Sequence, residues 1–371
     1  MQIKWKLRPN SNVNLMIDIK ISEAPISRIG EVDFSNLAFG REFSDHMFIA
    51  DYDGTEWKNF RIQPYGPIPL SPSLSCMHYG QAIFEGMKAF RGVDNSIQIF
   101  RPFDNLKRMN ESAERMCMQP IPEEVFVEGL KALCRIDENW ISSKEGSALY
   151  LRPFLIATDD FLGIHPSHNY MFMIYGCAVG AYYNVPLKIK IETEFVRAVK
   201  GGVGEAKTAG NYASAMYPSH IAEKEGFHQV LWTDAFEHKY LEELGSSNFF
   251  VLSGNTLITP ATTGTVLKGI TRDSVIQLAK KMGYKVEERL ISIDEVMAMN
   301  KEGKLDEAFA TGTAATVSPI CELSYKGISI HIKPKENSVA GILKNKLENI
   351  KRCKEEDFFG WNEKVMMTQT A

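Results

Sequence analysis

A lysine among small residues is the group whose type and setting most clearly suit it to chemistry. Lys207 lies in the stretch Glu205-Ala-Lys-Thr-Ala-Gly-Asn-Tyr212, directly after a glycine-rich run at 200–204. Small neighbours allow a flat ring to approach the backbone closely. Desolvation favours the neutral amine, which is the form that attacks an aldehyde. The segment therefore predicts a reactive amine, with an exposed lysine in a flexible glycine loop as the plain alternative.

The same glycines come close to two nucleotide-binding patterns without completing either. The phosphate-loop pattern G-x-x-x-x-G-K-[ST] has a glycine immediately before its lysine. This chain has Ala206 there, and a Cβ would crowd the phosphates. The dinucleotide pattern G-x-G-x-x-G, started at Gly202, needs its third glycine at position 207, which is the lysine. A nucleotide-binding or non-catalytic protein is therefore kept only as the alternative from a different class.

Length and charge limit the classes of partner. The chain has 371 residues, of which 44% are hydrophobic and 24% charged, and its formal net charge is -4. These are ordinary proportions for a soluble globular protein with room for two domains. A nucleic-acid or membrane-surface partner would need a basic stripe, which this charge balance does not favour. No apolar run is long enough for a transmembrane helix, and the first residues resemble neither a signal nor a transit peptide. We therefore expect a cytoplasmic protein.

Cysteines and histidines give no sign of a structural site. The six cysteines are too sparse for a disulfide framework and contain no C-x-x-C pair. His165 and His168 are three residues apart, but Pro166 between them disfavours a shared helical face. We therefore expect free thiols in a reducing compartment and no metal site.

Short strands and helices surround the lysine segment. In the first half, apolar residues at three- and four-residue steps predict a helix from Asp104 to about Met118, and Pro122 favours the first turn of another. In the second half, we expect a helix at 212–225, one capped by Thr271, and a last one at 339–353. Strands are predicted at 46–52, 96–100, 148–157, 170–179, 187–199, 229–233, 248–253, 256–259, 285–291 and, broken by a turn, 307–317.

This mixture, without regular βαβ alternation, predicts an α+β or mixed α/β fold in two domains. Glycine, asparagine and proline residues follow the predicted strand at 170–179 and mark the boundary. We expect a smaller N-terminal α/β domain at 1–180, an interdomain loop at 181–192, and a larger C-terminal domain at 193–371 that carries the lysine.

The lysine segment resembles the cofactor-lysine motif of the branched-chain amino-acid aminotransferases, which are fold-type-IV pyridoxal-phosphate enzymes. Further blocks follow in the same order, among them Tyr79-Gly-Gln-Ala-Ile-Phe-Glu-Gly-Met-Lys-Ala-Phe-Arg-Gly92, and extend the resemblance from about Asn36 to about Gly360. It implies the two-domain fold of that class, pyridoxal 5'-phosphate held as a Schiff base on Lys207, and a homodimer. The implied reaction is a reversible ping-pong transfer of the amino group of leucine, isoleucine or valine to 2-oxoglutarate, giving the branched 2-oxo acid and glutamate.

The same resemblance assigns residues to the substrate. An apolar pocket with aromatic walls suits branched aliphatic groups, because burial contributes about 25 cal/mol per Å². Arg152, in the block Tyr150-Leu-Arg-Pro153, would lie near a substrate carboxylate, and amides of the turn at 311–315 would hold the α-carboxylate. The implied substrate-binding residues are Phe39, Tyr79, Phe84, Tyr150, Arg152, Tyr182, Thr313, Ala314 and Ala315, with Tyr182 closing over the substrate.

Other matched positions would bind the cofactor. Arg108 matches an arginine that binds the phosphate, and its fork of donors suits a dianion. Glu243, rather than Glu242, matches the carboxylate that keeps the pyridine nitrogen protonated as an electron sink. A helix that starts near Gly269 offers free amides to the phosphate. The implied cofactor-binding residues are Arg108, Lys207, Tyr212, Glu243, Ile270, Thr271 and Thr313, and Lys207 is also the catalytic residue.

Two positions depart from the family pattern. Relatives commonly have proline where Lys268 stands, so this turn would be less rigid here. Some relatives carry C-x-x-C after the substrate turn, where this chain has Ala315 and Ser318, so we expect no thiol redox switch. A D-amino-acid aminotransferase or an aminodeoxychorismate lyase is the alternative within the class. Those enzymes share the lysine and the glutamate but do not typically share the stretch at 84–92 or the Tyr-x-Arg-Pro block.

Overall fold

The computed structural model describes residues 17–180, 185–333 and 335–366. Its strands form one sheet from the first half of the chain, joined by one strand near the chain's end, and a second sheet from the second half. The strands are β1 (Lys20–Ile21), β2 (Glu42–Tyr52), β3 (Trp57–Pro64), β4 (Ala82–Phe84), β5 (Met87–Arg91), β6 (Ile97–Phe100), β7 (Ala148–Ala157), β8 (Tyr170–Val179), β9 (Leu187–Ile191), β10 (Gln229–Thr233), β11 (Leu241–Leu244), β12 (Asn248–Ser253), β13 (Thr256–Pro260), β14 (Lys285–Arg289), β15 (Glu307–Gly312), β16 (Thr316–Tyr325), β17 (Ile328–His331) and β18 (Asn362–Val365). The helices are α1 (Ser75–Tyr79), α2 (Pro102–Arg115), α3 (Glu123–Ile136), α4 (Ala209–Ser214), α5 (Met216–Lys224), α6 (Ile270–Lys281), α7 (Ile293–Lys301) and α8 (Val339–Lys351), with 3-10 turns at Ile29–Glu31 and Glu138–Trp140.

The first sheet has the strand order β1-β3-β2-β8-β7-β5-β6-β18, and β4 also pairs with β7. At its centre is the antiparallel β7–β8 ladder, in which Ala148 pairs with Val179 and Ala157 with Tyr170. The amphipathic helices α2 and α3 pack their apolar stripes against this sheet. This core holds β4, β5 and α2 in fixed positions, and all three contribute residues to the site described below.

The second sheet has the order β11-β10-β9-β16-β15-β12-β13-β14, with β17 paired to β16 and β11 also paired to β12. Three of its strand pairs are parallel (β9–β10, β9–β16 and β13–β14) and the other pairs along this order are antiparallel, so the sheet is mixed. Val275 of α6 and Leu343 of α8 are buried in the same cluster as Phe309 of β15. The observed mixed α/β architecture agrees with the predicted fold class.

The two sheets share a core. Phe90 and Tyr150 of the first sheet belong to the same buried cluster as Phe250 and Phe309 of the second, and the last two rings stack at 5.1 Å. Near the end of the chain, β18 returns to pair with β6 of the first sheet. The chain changes sheets between β8 and β9, while the domain division at 1–180, 181–192 and 193–371 stays a prediction.

Strands bounded by turn residues match their predictions well. The strands predicted at 148–157, 170–179, 229–233 and 248–253 have those same limits in the structure. The strand predicted at 187–199 is too long, because it ends at Ile191. There Glu192 Oε1 accepts hydrogen bonds from the N–H groups of Glu194 and Phe195, which turn the chain out of the sheet.

Two helix predictions are wrong in detail. Thr271 does not cap α6, because Gly269 occupies the extended cap position and Thr271 is already the second helical residue. The helix predicted at 212–225 is interrupted at Ala215, between α4 and α5. Pro218 has no N–H to donate to the carbonyl of Ser214, so one continuous hydrogen-bond ladder is impossible. Among the described helices, none is both long enough and apolar enough to cross a bilayer.

Candidate active site

Lys207 is held firmly just before α4. Its N–H donates to Ser112 Oγ at 2.9 Å, and its carbonyl accepts from the Phe84 N–H at 3.0 Å. Its Nζ donates to the Tyr212 hydroxyl at 2.8 Å and lies 4.9 Å from the centre of the Phe84 ring. The description of an exposed lysine in a flexible loop therefore does not fit this side chain.

Glu243 is a buried carboxylate in β11. Adjacent strand residues point to opposite faces, so Glu243 faces the cavity lined by Lys207, while Glu242 accepts a hydrogen bond from Thr265 Oγ1 at 2.6 Å. Burial raises the pKa of Glu243, and Arg197 opposes that rise through an ion pair of 2.6 Å. This geometry supports the choice of Glu243 over Glu242.

Arg197 is a site residue that the sequence did not reveal. Besides its ion pair, its guanidinium donates to the carbonyl of Gly204 at 2.9 Å and to that of Thr265 at 3.1 Å. It therefore connects the Glu243 carboxylate to the glycine-rich run that precedes Lys207. No local motif marks Arg197, and its burial beside a carboxylate is visible only in the fold.

Arg108 and the start of α6 form a positively charged end of the same cavity. Arg108 Nε and Nη2 each bond one oxygen of the buried Glu85 at 2.7 Å, and Nη1 donates to the Lys268 carbonyl at 3.0 Å. A guanidinium has five donors, so two of them are available to a further acceptor. Ile270 and Thr271 begin α6, where the first N–H groups have no partner within the helix.

Gly269 allows this helix start to approach the carboxylate. A Cβ on Gly269 would lie 1.9 Å from Asn248 Oδ1. Asn248 Nδ2 in turn donates to the Leu267 carbonyl at 3.0 Å and to Glu243 Oε2 at 3.2 Å. One side chain therefore braces both the positive helix start and the buried carboxylate, and only glycine fits beside it.

These groups have the chemistry that pyridoxal phosphate requires. An amine suits its aldehyde, a buried carboxylate suits a protonated ring nitrogen, and an arginine with free helix amides suits a phosphate dianion. The donor set therefore fits the cofactor. The predicted cofactor-binding residues that line the cavity are Arg108, Lys207, Tyr212, Glu243, Ile270, Thr271 and Thr313.

Aromatic rings and one arginine stand beside the cavity. The Phe84 ring lies 4.8 Å from the Tyr212 ring and 4.7 Å from the guanidinium carbon of Arg152. Arg152 Nη2 donates to the Tyr150 hydroxyl at 3.1 Å, and the Phe39 ring meets the Tyr150 ring edge-on at 5.0 Å. Arg152 Nε is buried and has no hydrogen-bond partner within the described residues. A cation with a free donor is therefore oriented next to an apolar wall.

The turn between β15 and β16 is tied to the first sheet. Thr313 Oγ1 donates to the Gly86 carbonyl at 2.9 Å, and Lys88 Nζ donates to the Ala314 carbonyl at 3.2 Å. Ala315 is buried at the far end of the turn. Because side chains hold the turn through these bonds, its backbone N–H groups are fixed in position relative to β5.

Tyr79, a predicted substrate residue, does not line the cavity that contains Lys207. Tyr79 ends α1, its side chain is 44% exposed, and its ring neighbour is His78 at 6.1 Å. Tyr182 lies outside the described residues. Glu85 and Lys88 lie in the stretch at 79–92 that carries the family resemblance, but the sequence analysis predicted no role for either residue. The need of a buried Arg108 for a counter-ion is a signal that could have identified Glu85.

Comparisons with known proteins show which families and structures this chain is similar to. The family model described as Amino-transferase class IV matches residues 82–323. Branched-chain-amino-acid aminotransferase 2 of Bacillus subtilis (strain 168) is 47% identical over 338 residues, covering 90% of this chain and 93% of that protein. Branched-chain-amino-acid transaminase 1 of the same strain is 48% identical over 303 residues, covering 80% and 85%. The solved T.th. branched-chain amino acid aminotransferase complexed with N-(5'-phosphopyridoxyl)-L-glutamate is 26% identical, with a TM-score of 0.71 over 86% of this chain and 98% of that chain.

Proposed function

This chain belongs to the branched-chain amino-acid aminotransferases of the class IV amino-transferase family, and from that premise we propose how its own residues carry out the reaction. It is a pyridoxal-phosphate-dependent branched-chain amino-acid transaminase. This assignment replaces the nucleotide-binding alternative and the two alternatives within the class. The observation that supports the residue roles is the convergence of Lys207, Glu243 and Arg108 on one cavity.

Lys207 is the catalytic residue. When bound, pyridoxal phosphate supplies an aldehyde and an electron sink, so that an amino group can be removed from one substrate and given to another. Lys207 Nζ is the nucleophile that holds the aldehyde, and the Tyr212 hydroxyl at 2.8 Å orients it. After a substrate amine has taken its place, the free Nζ would take the proton from the substrate α-carbon and pass it to the C4′ atom that the cofactor supplies. In the second half-reaction it returns a proton to the α-carbon, so it acts as base and acid.

Glu243 and Arg197 act as a pair at the ring nitrogen. An ionised carboxylate keeps a proton on a pyridine nitrogen, but burial alone would favour the neutral carboxylic acid. The buried Arg197 guanidinium, 2.6 Å away, favours the ionised form of Glu243. Arg197 is therefore a positioning residue that sets the charge of Glu243.

The opposite end of the cavity holds the phosphate. The two free donors of Arg108 and the unpaired N–H groups of Ile270 and Thr271 supply charge and hydrogen bonds to the phosphate oxygens. The Thr313 hydroxyl lines the same cavity. Arg108 and residues 270–271 are distant from Lys207 in sequence, so phosphate binding here does not use one continuous phosphate-loop motif.

Substrate is held by the β15–β16 turn and the aromatic wall. Backbone N–H groups at 313–315 bind the α-carboxylate. Phe39, Phe84 and Tyr150 bury a branched side chain, and Arg152 Nε binds the second carboxylate when glutamate or 2-oxoglutarate replaces it. The relative solved with N-(5'-phosphopyridoxyl)-L-glutamate supports a glutamate-type second substrate.

The enzyme works as a homodimer in this proposal. Exposed apolar side chains cluster near α1 and the loop after β7, and Leu74 bridges to Asp160 between these two segments. Covering this surface with a second copy would explain how Tyr79, which does not line the cavity of its own chain, can serve a substrate pocket. The exposed apolar residues are Met77, Tyr79, Phe161, Leu162 and Ile164.

The domain division and the cellular location also remain proposals. The change of sheet between β8 and β9 supports a boundary near residue 180. All six cysteines are free thiols, which fits the reducing cytoplasm.

Replacement of the lysine tests the central assignment. The Lys207→Ala enzyme should lose at least about 10³-fold in transamination rate, because both the nucleophile and the proton carrier are removed. Its visible cofactor absorbance should also change. The Lys200→Ala variant, from the same glycine-rich run but with an exposed lysine, should behave as wild type. Wild-type turnover of leucine, isoleucine and valine by the Lys207→Ala enzyme would exclude the assignment.

A further inference from the structure

A second cavity of about 510 Å³ lies behind the substrate turn. It is lined by residues of that turn, of β5 and of α8. Ala314 and Ala315 contribute the turn, Lys88 contributes β5, and Lys344 contributes α8. This cavity is separate from the one that contains Lys207 and Glu243, since the two share no lining residue. Among its lining residues, only Ala314 and Ala315 have a family role given above, which is the binding of a substrate carboxylate by the backbone of their turn.

Lys88 is a buried cation in its wall. Lys88 is only 8% exposed, and its Nζ donates one hydrogen bond, to the Ala314 carbonyl. Two of its three ammonium donors are therefore left without a protein acceptor in the described part of the chain. Burial, followed by the charge of Lys351, lowers the pKa of Lys88 to about 8. A buried ammonium without a carboxylate is costly, and an anion in the cavity would remove that cost.

Arg352 is a second buried cation in the same wall. It is 4% exposed, and its Nη2 donates to the carbonyls of Lys144 and Ser147. Its Nε is buried with no hydrogen-bond partner within the described residues. A buried charged donor of this kind needs an acceptor from water or from a bound ligand.

The acidic residues of the wall are already engaged. Glu348 is paired with Lys351 at 2.9 Å, and Glu145 with Lys354 at 3.3 Å. Lys88, Lys344 and Arg352 form no ion pair with any described carboxylate. The residues outside the described ranges include no Asp or Glu. The cavity therefore carries three cations without an ion pair to a described carboxylate, and Lys88 and Arg352 among them are more than nine-tenths buried.

We propose that this cavity is a binding site for a small dianion, with Lys88, Lys344 and Arg352 as its ligands. A group that carries two negative charges and several acceptor oxygens matches three separate cations better than a monoanion does. Phosphate esters and dicarboxylates share this chemistry. The volume of the cavity leaves room for an organic portion beside the charged group.

The site is coupled to the substrate turn. Lys88 Nζ bonds the carbonyl of Ala314, and the same ammonium would contact the bound dianion. Occupancy therefore changes how Lys88 holds a turn whose backbone N–H groups bind the substrate α-carboxylate. This coupling rests on the proposed function of the turn, whereas the binding site itself does not.

Calorimetric titration of the purified holoenzyme tests the site. Inorganic phosphate and succinate are titrated separately at constant ionic strength, and the bound cofactor excludes phosphate from its own subsite. The variants are Lys344→Gln and Lys88→Met, which each remove one charge. Arg352 is left intact because it supports backbone carbonyls. The matched control is Lys346→Gln, on the same helix, whose lysine pairs with Glu355 and does not line the cavity.

At least one of the two probes should bind with one site per chain. Its affinity should fall about tenfold or more in each cavity variant, since each loses a charge-assisted hydrogen bond, and should not change in Lys346→Gln. Binding of phosphate alone would identify the phosphate-ester class, and binding of succinate the dicarboxylate class. The proposal is overturned if neither probe binds the wild-type enzyme up to about 10 mM, or if the cavity variants bind as tightly as wild type. Amino-acid turnover, measured in parallel, separates this result from any failure of the proposed function.

Discussion

Arg197 and Glu243 form a buried ion pair, with 2.6 Å between Nη2 and Oε1 and side chains that are 7% and 5% exposed. Burial raises the pKa of Glu243, and the guanidinium is the strongest influence that lowers it again. The same arginine bonds the Gly204 carbonyl, near the catalytic Lys207. Arg197 therefore holds both Glu243, the carboxylate proposed to pair with the ring nitrogen, and the glycine-rich loop that precedes Lys207.

Removal of that anchor should change the pH profile of the enzyme. In Arg197→Met, the pKa of Glu243 should rise further, because desolvation is then less opposed. A larger fraction of the carboxyl would then be neutral, and kcat should fall by about tenfold or more. Raising the pH ionises the carboxyl again, so part of the activity should return in alkaline buffer.

Arg197→Lys is the matched control, because it keeps a positive charge and should keep most of the activity. A pH profile of kcat in Arg197→Met that is parallel to the wild-type profile would contradict this role. A purely structural role would lower activity equally at every pH.

Segments with strong local signals could be predicted from the sequence. The limits of β7 and β8 follow from long apolar runs that end at turn residues, and the order of motifs around Lys207 indicated the family. Ends of elements were less predictable where a side chain or a proline acts on the backbone. Glu192 ends β9 early, and Pro218 separates α4 from α5.

Contacts between distant parts of the chain were not predictable in this way. Arg197 and Glu85 are buried partners of predicted residues, yet neither has a spacing that links it to its partner. Ion pairs between residues that are distant in sequence leave no local pattern, so they can be identified only from the folded structure. Tyr79 differs from both, since its sequence context indicated a substrate role but the fold leaves it exposed.

A double-mutant cycle should separate two roles of Arg108. Arg108→Met leaves the fully buried Glu85 without its partner, which should lower the free energy of unfolding by about 3–5 kcal/mol. Adding Glu85→Gln removes the stranded charge and should restore much of that stability. Cofactor affinity should stay low in the double variant, because the phosphate ligand is still missing.

Urea unfolding and cofactor titration of the three variants measure both effects. Recovery of cofactor affinity together with stability in the double variant would show that Arg108 acts only through the fold.

An added methyl group at Gly86 should disturb substrate binding. A Cβ there would lie 1.9 Å from the hydroxyl of Tyr150, whose ring is already in contact with Phe39 and whose hydroxyl accepts from Arg152. Gly86→Ala should therefore displace Tyr150, lower stability by about 1–3 kcal/mol and raise KM for leucine more than it lowers kcat. Gly66→Ala, where no atom lies within 4 Å of the new Cβ, is the control and should match wild type in steady-state kinetics. Unchanged KM in Gly86→Ala would remove Tyr150 from the substrate wall.

Lys88 should give the stability of the protein a distinctive dependence on pH. Its pKa is lowered from 10.5 to about 8 by burial and by the charge of Lys351, with Lys344 and Arg352 acting in the same direction and Glu348 opposing them. Below pH 8 the ammonium is charged in both states, and its burial destabilises the fold in full. Between pH 8 and 10.5 the unfolded chain binds more protons than the folded one, so this contribution to stability rises with pH. Wild type should therefore gain about 3 kcal/mol relative to Lys88→Met between pH 7 and 10.5. Urea unfolding across this range measures the difference, and Lys346→Met should show none of it. If the difference in unfolding free energy between wild type and Lys88→Met is the same at every pH, Lys88 keeps an ordinary pKa. The second cavity then does not destabilise its charged form.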